Sequence, residues 1–572
     1  MRLPNPLATR FGRLAAFFFL YLTEGIPLGF AANAIGTQLR RQGVGPAEIG
    51  AFVGSLYLPW AFKWAYGPFV DVIWFRRLGK RRGWILITQS MMILTILAAI
   101  AIRLPEQLGL LTAVILVHNV FGATQDVAID ALACNTLDPS ERGLANGLMF
   151  AGASIGSMVG GAVLFLIPYF GFQPSFVFVA AAIFLVTLFV VVPMREPQPV
   201  ESPDGRGSVA RELHTFALGS FRSFLGSTGA FSGLFAALLP AGAMSLGLAL
   251  QNNLGVELGL DDTKIGLLNS ASAITAAVCC VLGGFLSDRL GRRRVLITTI
   301  VLMGVPVLYL ANVLWQAGWI HPVDPTATSR PEPPTAVLTA FWVATLAYAA
   351  VNGLMYGTRS AAFMDVTNPA VAATQFTAYM ALMNVSIAMS STWQGVATEA
   401  WGYPRTMVVD VGLGLLCLLV VPLMRPNRTG TTSADRHAPS RARGLSIGLA
   451  VACFSWPAYS TWHDSMRALQ PIAGSVYTLV FIGSAVFLLA GAATIARSAP
   501  RLARLAPLLA PFLLLMHARY YLAPIAGWLG VGPERFEQLA GPYFLVVPVL
   551  AGLLLLALAT RPWRELTAPA AA

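Results

Sequence analysis

Stretches of about twenty apolar residues recur along almost the whole chain, and no other feature limits the fold so severely. Each is long enough to cross the hydrocarbon core of a bilayer as a helix. Backbone amides in lipid must be satisfied within their own segment, which makes helix the expected form. Such runs lie near residues 14–38, 48–74, 84–103, 108–133, 143–168 and 173–194. Six more follow near 233–252, 264–287, 295–315, 337–362, 373–396 and 404–424, and a last four near 444–461, 473–495, 505–523 and 541–560. Composition agrees, since 56% of the 572 residues are hydrophobic and 11% charged, far from the balance of a soluble domain. The formal charge of +12 does not point to nucleic acid: the arginines sit in short runs between spans, where the positive-inside rule places them.

This spacing predicts an all-α integral membrane protein embedded in the lipid bilayer. It comprises a six-helix unit (residues 1–194), a polar linker (195–232), a second six-helix unit (233–424), an Arg/Ser-rich linker (425–443) and about four extra spans (444–572). An even number of spans puts both termini on one side. The clusters Arg76 to Arg82, Arg289 to Arg294, Arg425 to Arg443 and Arg497 to Arg504 make that side the cytoplasm.

An internal repeat relates the two six-helix units. GPFVD (Gly67 to Asp71) and GFLSD (Gly284 to Asp288), about 217 residues apart, each end a second span. Each runs into a basic turn, with Arg81 and Arg82 in LGKRR and Arg289, Arg292 and Arg293 around LGRRR. Glycine permits close helix crossing, the acid marks the membrane surface, and the basic turn stays on the cytoplasmic side. Duplicated halves of this kind are those of secondary transporters, with these residues at a cytoplasmic gate.

GGFLSDRLGRRR resembles the loop signature of the major facilitator superfamily. LYLTEGIPLGF in the first span, AFKWAYGPFVD and GKRRGW around the second, GATQDVAIDAL in the fourth and AATQFTAYMAL at the eleventh resemble AmpG-type muropeptide permeases, a group that includes acetyl-coenzyme A transporters. The resemblance covers most of residues 10–424. It implies the superfamily's fold of two six-helix halves, a bacterial inner-membrane location, and inward movement of an amphiphilic, anionic solute with protons. That solute would be an anhydro-muropeptide or a GlcNAc-anhydro-muramyl sugar; acetyl-coenzyme A or another polar metabolite is the alternative within the class.

The charged residues inside spans carry the functional reading, because a carboxyl group at mid-membrane costs roughly 2.5 to 3.5 kcal/mol on insertion scales. Asp126 and Asp130 lie four apart in one apolar run and share a helix face, with Asn119 close to the same stripe and Gln125 beside it. A solute or proton pathway is one reading of the pair; bracing of neighbouring helices is the other. Glu24 sits beside Gly25 and Pro27, where a loosened helix facing a cavity suits a proton-binding carboxyl; a hydrated acid near the interface is its alternative. Lys63, mid-span among Trp60, Phe62 and Trp64, needs an anion, either a substrate group or one of these three acids. Asn352, Tyr356 and Arg359 recur at helical spacing in the tenth span, and Gln375, Tyr379 and Asn384 follow in the eleventh; all could hydrogen-bond a polar solute. Arg359 could instead pair with Asp365 at a helix end. Trp393 could stack on a sugar, and His118 reads as a hydrogen-bonded filler.

The five cysteines lack ligand spacing, and there is no phosphate-binding loop, HExxH or zinc pattern. No cofactor, metal or catalytic centre is expected, and the driving energy must come from a gradient. A membrane-embedded enzyme using His463 and Asp464, or His517 and Arg519, and a non-transporting sensor are the readings from other classes.

Overall fold

The computed structural model describes residues 4–63, 66, 70, 75, 78–137, 142–196, 221–327, 331–367, 372–425, 436–462, 469–496, 498–516 and 533–563. Helix accounts for all the regular structure among them apart from one isolated bridge between Phe75 and Gly79. Among the described residues, eleven helices are both long and apolar enough to cross a membrane.

In the first half these are α1 (Arg10–Arg41), α3 (Arg81–Ala98), α4 (Leu108–Thr136), α5 (Arg142–Gly161) and α6 (Pro174–Val186). Between α1 and α3 the second span starts as α2 (Pro46–Ser55), with a further turn at Leu58–Ala61. Pro59 in that turn has no N–H to continue the ladder. The seventh span is also broken. It consists of α7 (Thr228–Leu238) and α8 (Ala249–Glu257), separated by a stretch in which Pro240 cannot donate and Gly242 has φ +74°. Then come α9 (Asp262–Leu290), α10 (Arg292–Gln316), α11 (Thr335–Val366), α12 (Ala372–Trp401) and α13 (Tyr403–Leu415). The last helices are α14 (Ala438–Trp462), α15 (Gln470–Thr494), α16 (Pro500–Met516) and α17 (Pro533–Ala559).

Two compact units emerge. One comprises residues 1–209, 235–364 and 376–422; the other comprises 210–234, 365–375 and 423–572. The second has its own apolar core, in which Phe221, Phe487 and Trp563 stack edge to face and Ser446 donates to the Leu555 carbonyl.

In the first unit small residues set the closest helix contacts. A Cβ on Gly25, Gly29, Gly152, Gly156 or Gly160 would overlap backbone of the facing helix, so α1 and α5 touch main chain to main chain. Gly283, Gly353 and Gly357 do the same between α9 and α11. Without a hydrophobic drive between helices in lipid, such close packing is what holds them together.

The basic turns repeat in structure as in sequence. Gly79 and Gly291 both have positive φ (95° and 92°), the conformation glycine adopts at low cost. Arg81 donates to the Val70 carbonyl and Arg292 to that of Ala361. Arg82 reaches the carbonyls of Val191 and Val192 after α6, and Arg293 that of Pro422 after α13. Cations on the free carbonyls at helix ends satisfy orphan acceptors and complement the helix dipole. Arg289 lies over the Phe285 ring. Gly67 and Asp71 of the motif fall outside the described residues, as does the side chain of Asp288; Gly284 faces the Gly357 carbonyl.

Candidate transport site

The intramembrane charges of the first half converge. Lys63 donates from Nζ to Asp126 Oδ2 at 2.9 Å and lies 3.7 Å from Asp130 Oδ2. Tyr21, one turn before Glu24 on α1, donates its hydroxyl to Asp130 at 2.7 Å and stands 3.3 Å from Asp126. The four-residue spacing on α4 therefore presents both carboxylates to one cation and one phenol. Asp126 is buried, whereas the Asp130 side chain is 45% exposed, so the pair has an inner and an outer member. Glu24 is buried, its Oε1 has no hydrogen-bond partner, and it is close enough to feel the charges of Asp126, Asp130 and Lys63.

Around this centre runs a neutral hydrogen-bond chain. Gln125 and Gln89 both donate to Thr23 Oγ1, and Thr187 donates to Gln89 Oε1. Asn119 is elsewhere: it donates to the Leu56 carbonyl and bridges α4 to the break in the second span. His118 hydrogen-bonds Thr95 and the Met92 carbonyl, the filler role expected of it.

The second half has a different centre, a cavity to which Tyr57 of the first half also contributes. Tyr57, Met244, Tyr348, Asn352 and Tyr356 are among the residues lining a cavity of about 60 Å³ beside the break in the seventh span. Buried Asp410 of α13 holds that break open, accepting the Met244 and Ser245 N–H groups (2.8 and 3.0 Å) and Gln394 Nε2 (2.7 Å). The orphan amides of an unwound stretch thus find a carboxylate instead of water. Arg359 is buried, with its guanidinium 4.3 Å from the Tyr356 ring centroid. Gln375 and Tyr379 are fully buried, Asn384 donates to the Met380 carbonyl, and Trp393 is enclosed edge-on to Trp401, leaving no open face for a sugar.

A third cluster joins the halves at the opposite end of α1. Buried Arg40 donates to Glu257 Oε1, to the Val44 carbonyl and to the Val323 carbonyl; Tyr403 donates to the same Glu257 oxygen, and the Val323 N–H to the other. Arg41 and Gln38 both reach Asp262, and Asn33 accepts from Asn252. The sequence reading missed Tyr21, Asp410 and Arg40. Tyr21 lies in the LYLTEG stretch, but a tyrosine among aromatics carries no charge signal. Arg40 and Glu257 each read as loop-edge charges until the fold joins them.

Two broken spans, duplicated basic turns and charge buried between helices define a membrane carrier. The sequence profile described as Major Facilitator Superfamily matches residues 14–249 and 233–567, and the chain belongs to that superfamily; it is a multi-pass membrane transporter of this type. It is 26% identical to the Anhydromuropeptide permease of Escherichia coli (strain K12) over 298 residues, which are 51% of this chain and 59% of that protein. It is 25% identical to the Putative transporter AmpG 4 of Rickettsia felis over 280 residues, 48% of this chain and 66% of that one. The chain thus spans about three fifths to two thirds of these relatives' lengths, and the AmpG-type resemblance read from its motifs holds. Among solved structures, a D-xylose-proton symporter superposes with TM-score 0.56 at 12% identity, covering 73% of this chain and 98% of that one. The nucleoside transporter NupG gives 0.51 at 15%, covering 72% and 98%. At such identities these likenesses concern the fold alone.

Proposed function

We propose that the protein imports anhydro-muropeptides, or the related GlcNAc-anhydro-muramyl sugars, across the bacterial inner membrane together with protons. The observation that carries this reading is the centre of Tyr21, Glu24, Lys63, Asp126 and Asp130. Two buried carboxyl groups and the half-exposed Asp130 stand near one ammonium, and like charges one turn apart resist joint ionisation. A proton on one carboxyl reduces the excess of negative charge that Lys63 alone cannot offset, and a conformational change that moves Lys63 relative to Asp126 alters which acid holds it. Permeases of this name among the relatives support the solute class. The chain acts as a transporter and not as an enzyme; His463, Asp464, His517 and Arg519 lie outside the described residues.

In this reading residues 1–194 and 233–424 are the two halves, and residues 444–572 are additional spans. Both termini and the two linkers face the cytoplasm, because they hold the basic excess. A periplasm-active reporter fused after Arg443 would refute that topology. The deciding experiment for function is uptake into proteoliposomes under an imposed pH gradient, inside alkaline. Labelled anhydro-muropeptide should accumulate, and acetyl-coenzyme A and simple hexoses should not. Accumulation of acetyl-coenzyme A alone would transfer the protein to the other branch of its group.

A further inference from the structure

Arg359 is the anomaly of the second half. It is only 7% exposed, yet its Nε has no hydrogen-bond partner and no carboxylate lies within ion-pair distance among the described residues. A guanidinium stays charged in any protein, and a buried charge without a counter-ion is strongly unfavourable. The face of Tyr356 compensates only part of that loss. The buried acids described in this half offer nothing more. Asp410 is saturated by three N–H donors, and Glu257 is held by Arg40, Tyr403 and the Val323 N–H.

Spacing connects Arg359 to the cavity. Tyr348, Asn352, Tyr356 and Arg359 follow one face of α11, and Tyr356, 38% exposed, both lines the cavity and carries the guanidinium on its ring. From this geometry we infer that Arg359 is an anion subsite that receives a carboxylate of the solute as it enters beside Tyr356, with Asn352 and Tyr348 donating hydrogen bonds to neighbouring oxygens. The planar fork of arginine matches a carboxylate with two parallel N–H donors. About 60 Å³ is room for such a group and not for a diphosphate or a whole sugar, so the rest of the solute lies outside this pocket. The inference rests on the proposed muropeptide reading and extends it: one half of the carrier manages protons, and the other recognises the acid of its cargo.

The test is binding to the full-length purified protein, followed by intrinsic tryptophan fluorescence, with 1,6-anhydro-N-acetylmuramic acid and its methyl ester as probes. Wild type should prefer the acid at least tenfold. Arg359→Gln should remove that preference while leaving ester affinity unchanged, and Arg359→Lys should restore part of it. A common elution volume and melting temperature would show that the variants fold. If Arg359→Gln keeps the preference, or loses acid and ester equally, Arg359 is a structural cation and the inference fails. Equal wild-type affinity for both probes overturns the inference but leaves the muropeptide reading standing; binding of neither overturns both.

Discussion

The two membrane halves share a plan and differ in chemistry at their centres. In the first, acids outnumber the single lysine of the centre, and two of them share that lysine and one tyrosine as partners. In the second, a tyrosine and asparagine cavity lies beside a buried arginine, and the acid nearby is taken up by two backbone amides and the Gln394 side chain. On the proposed reading, a duplicated scaffold is filled with groups that exchange protons on one side and a group that holds a fixed charge on the other. The comparison suggests a division of labour that no single residue would reveal: the half rich in titratable groups sets the driving force, and the other half sets what is carried.

The strongest challenge to that division is Asp126→Asn. Asparagine keeps shape and one acceptor but cannot titrate, so accumulation driven by a pH gradient should be lost, internal solute falling back to the external concentration, while exchange of solute down its own gradient continues. Should Asp126→Asn, Asp130→Asn and the double variant all still accumulate solute in strict dependence on the pH gradient, the pair is structural and Glu24 becomes the carrier of the proton. Asp410→Ala should be next in size. It leaves the Met244 and Ser245 amides unpaired, at about 1–3 kcal/mol, and should raise KM through a distorted cavity without changing the dependence on pH gradient; Asp410→Asn should fall between. Loss of the gradient dependence at unchanged KM would break the assignment of recognition to the second half.

Arg40→Ala acts on both halves alike. Removing the buried partner of Glu257 should open the far end, read as a longer-distance population between spin labels at exposed positions Glu48 and Lys264. An unchanged distribution would show that the Arg40 cluster is packing and not a latch. The smallest effect belongs to Asp261, which caps α9 by accepting the Lys264 N–H, a bond that holds its carboxyl below the usual aspartate range. A depressed value stabilises the fold at neutral pH, and the contribution fades as pH drops below the ordinary value of about 3.9 and through the folded one. Asp261→Ala should lower stability by about 1 kcal/mol above that range and by less under strongly acidic conditions, without touching transport.

What the sequence made legible was whatever burial in lipid makes expensive. Spans, basic turns, the Asp126 and Asp130 pair and the need of Lys63 for an anion all follow from the cost of charge and unpaired amides in hydrocarbon. Its failures have the same root. Asn119 sits at the right period to join the acids, but its nearest acceptor is the Leu56 carbonyl freed where the second span breaks, and that break depends on tertiary fit. Tyr21 is neutral and gives no signal of cost. Asp410 was passed over, and only the unwound stretch it holds explains it. The basic turns were legible as a repeat, but not their partners: Arg82 and Arg293 donate to carbonyls at helix ends more than a hundred residues later in the chain.

The glycine contact between α1 and α5 has a mechanical consequence. Two rods meshed main chain against main chain cannot slide past one another without backbone collision, so they turn together as a single lever. Tyr21 and Glu24 ride on that lever, while Asp126 and Asp130 ride on α4. Any stroke that parts the phenol from Asp130 must therefore sweep α5 with it, and a bulkier residue at Gly160, which packs on the backbone of Ile26 and Phe30, should jam the stroke without altering any of the acids.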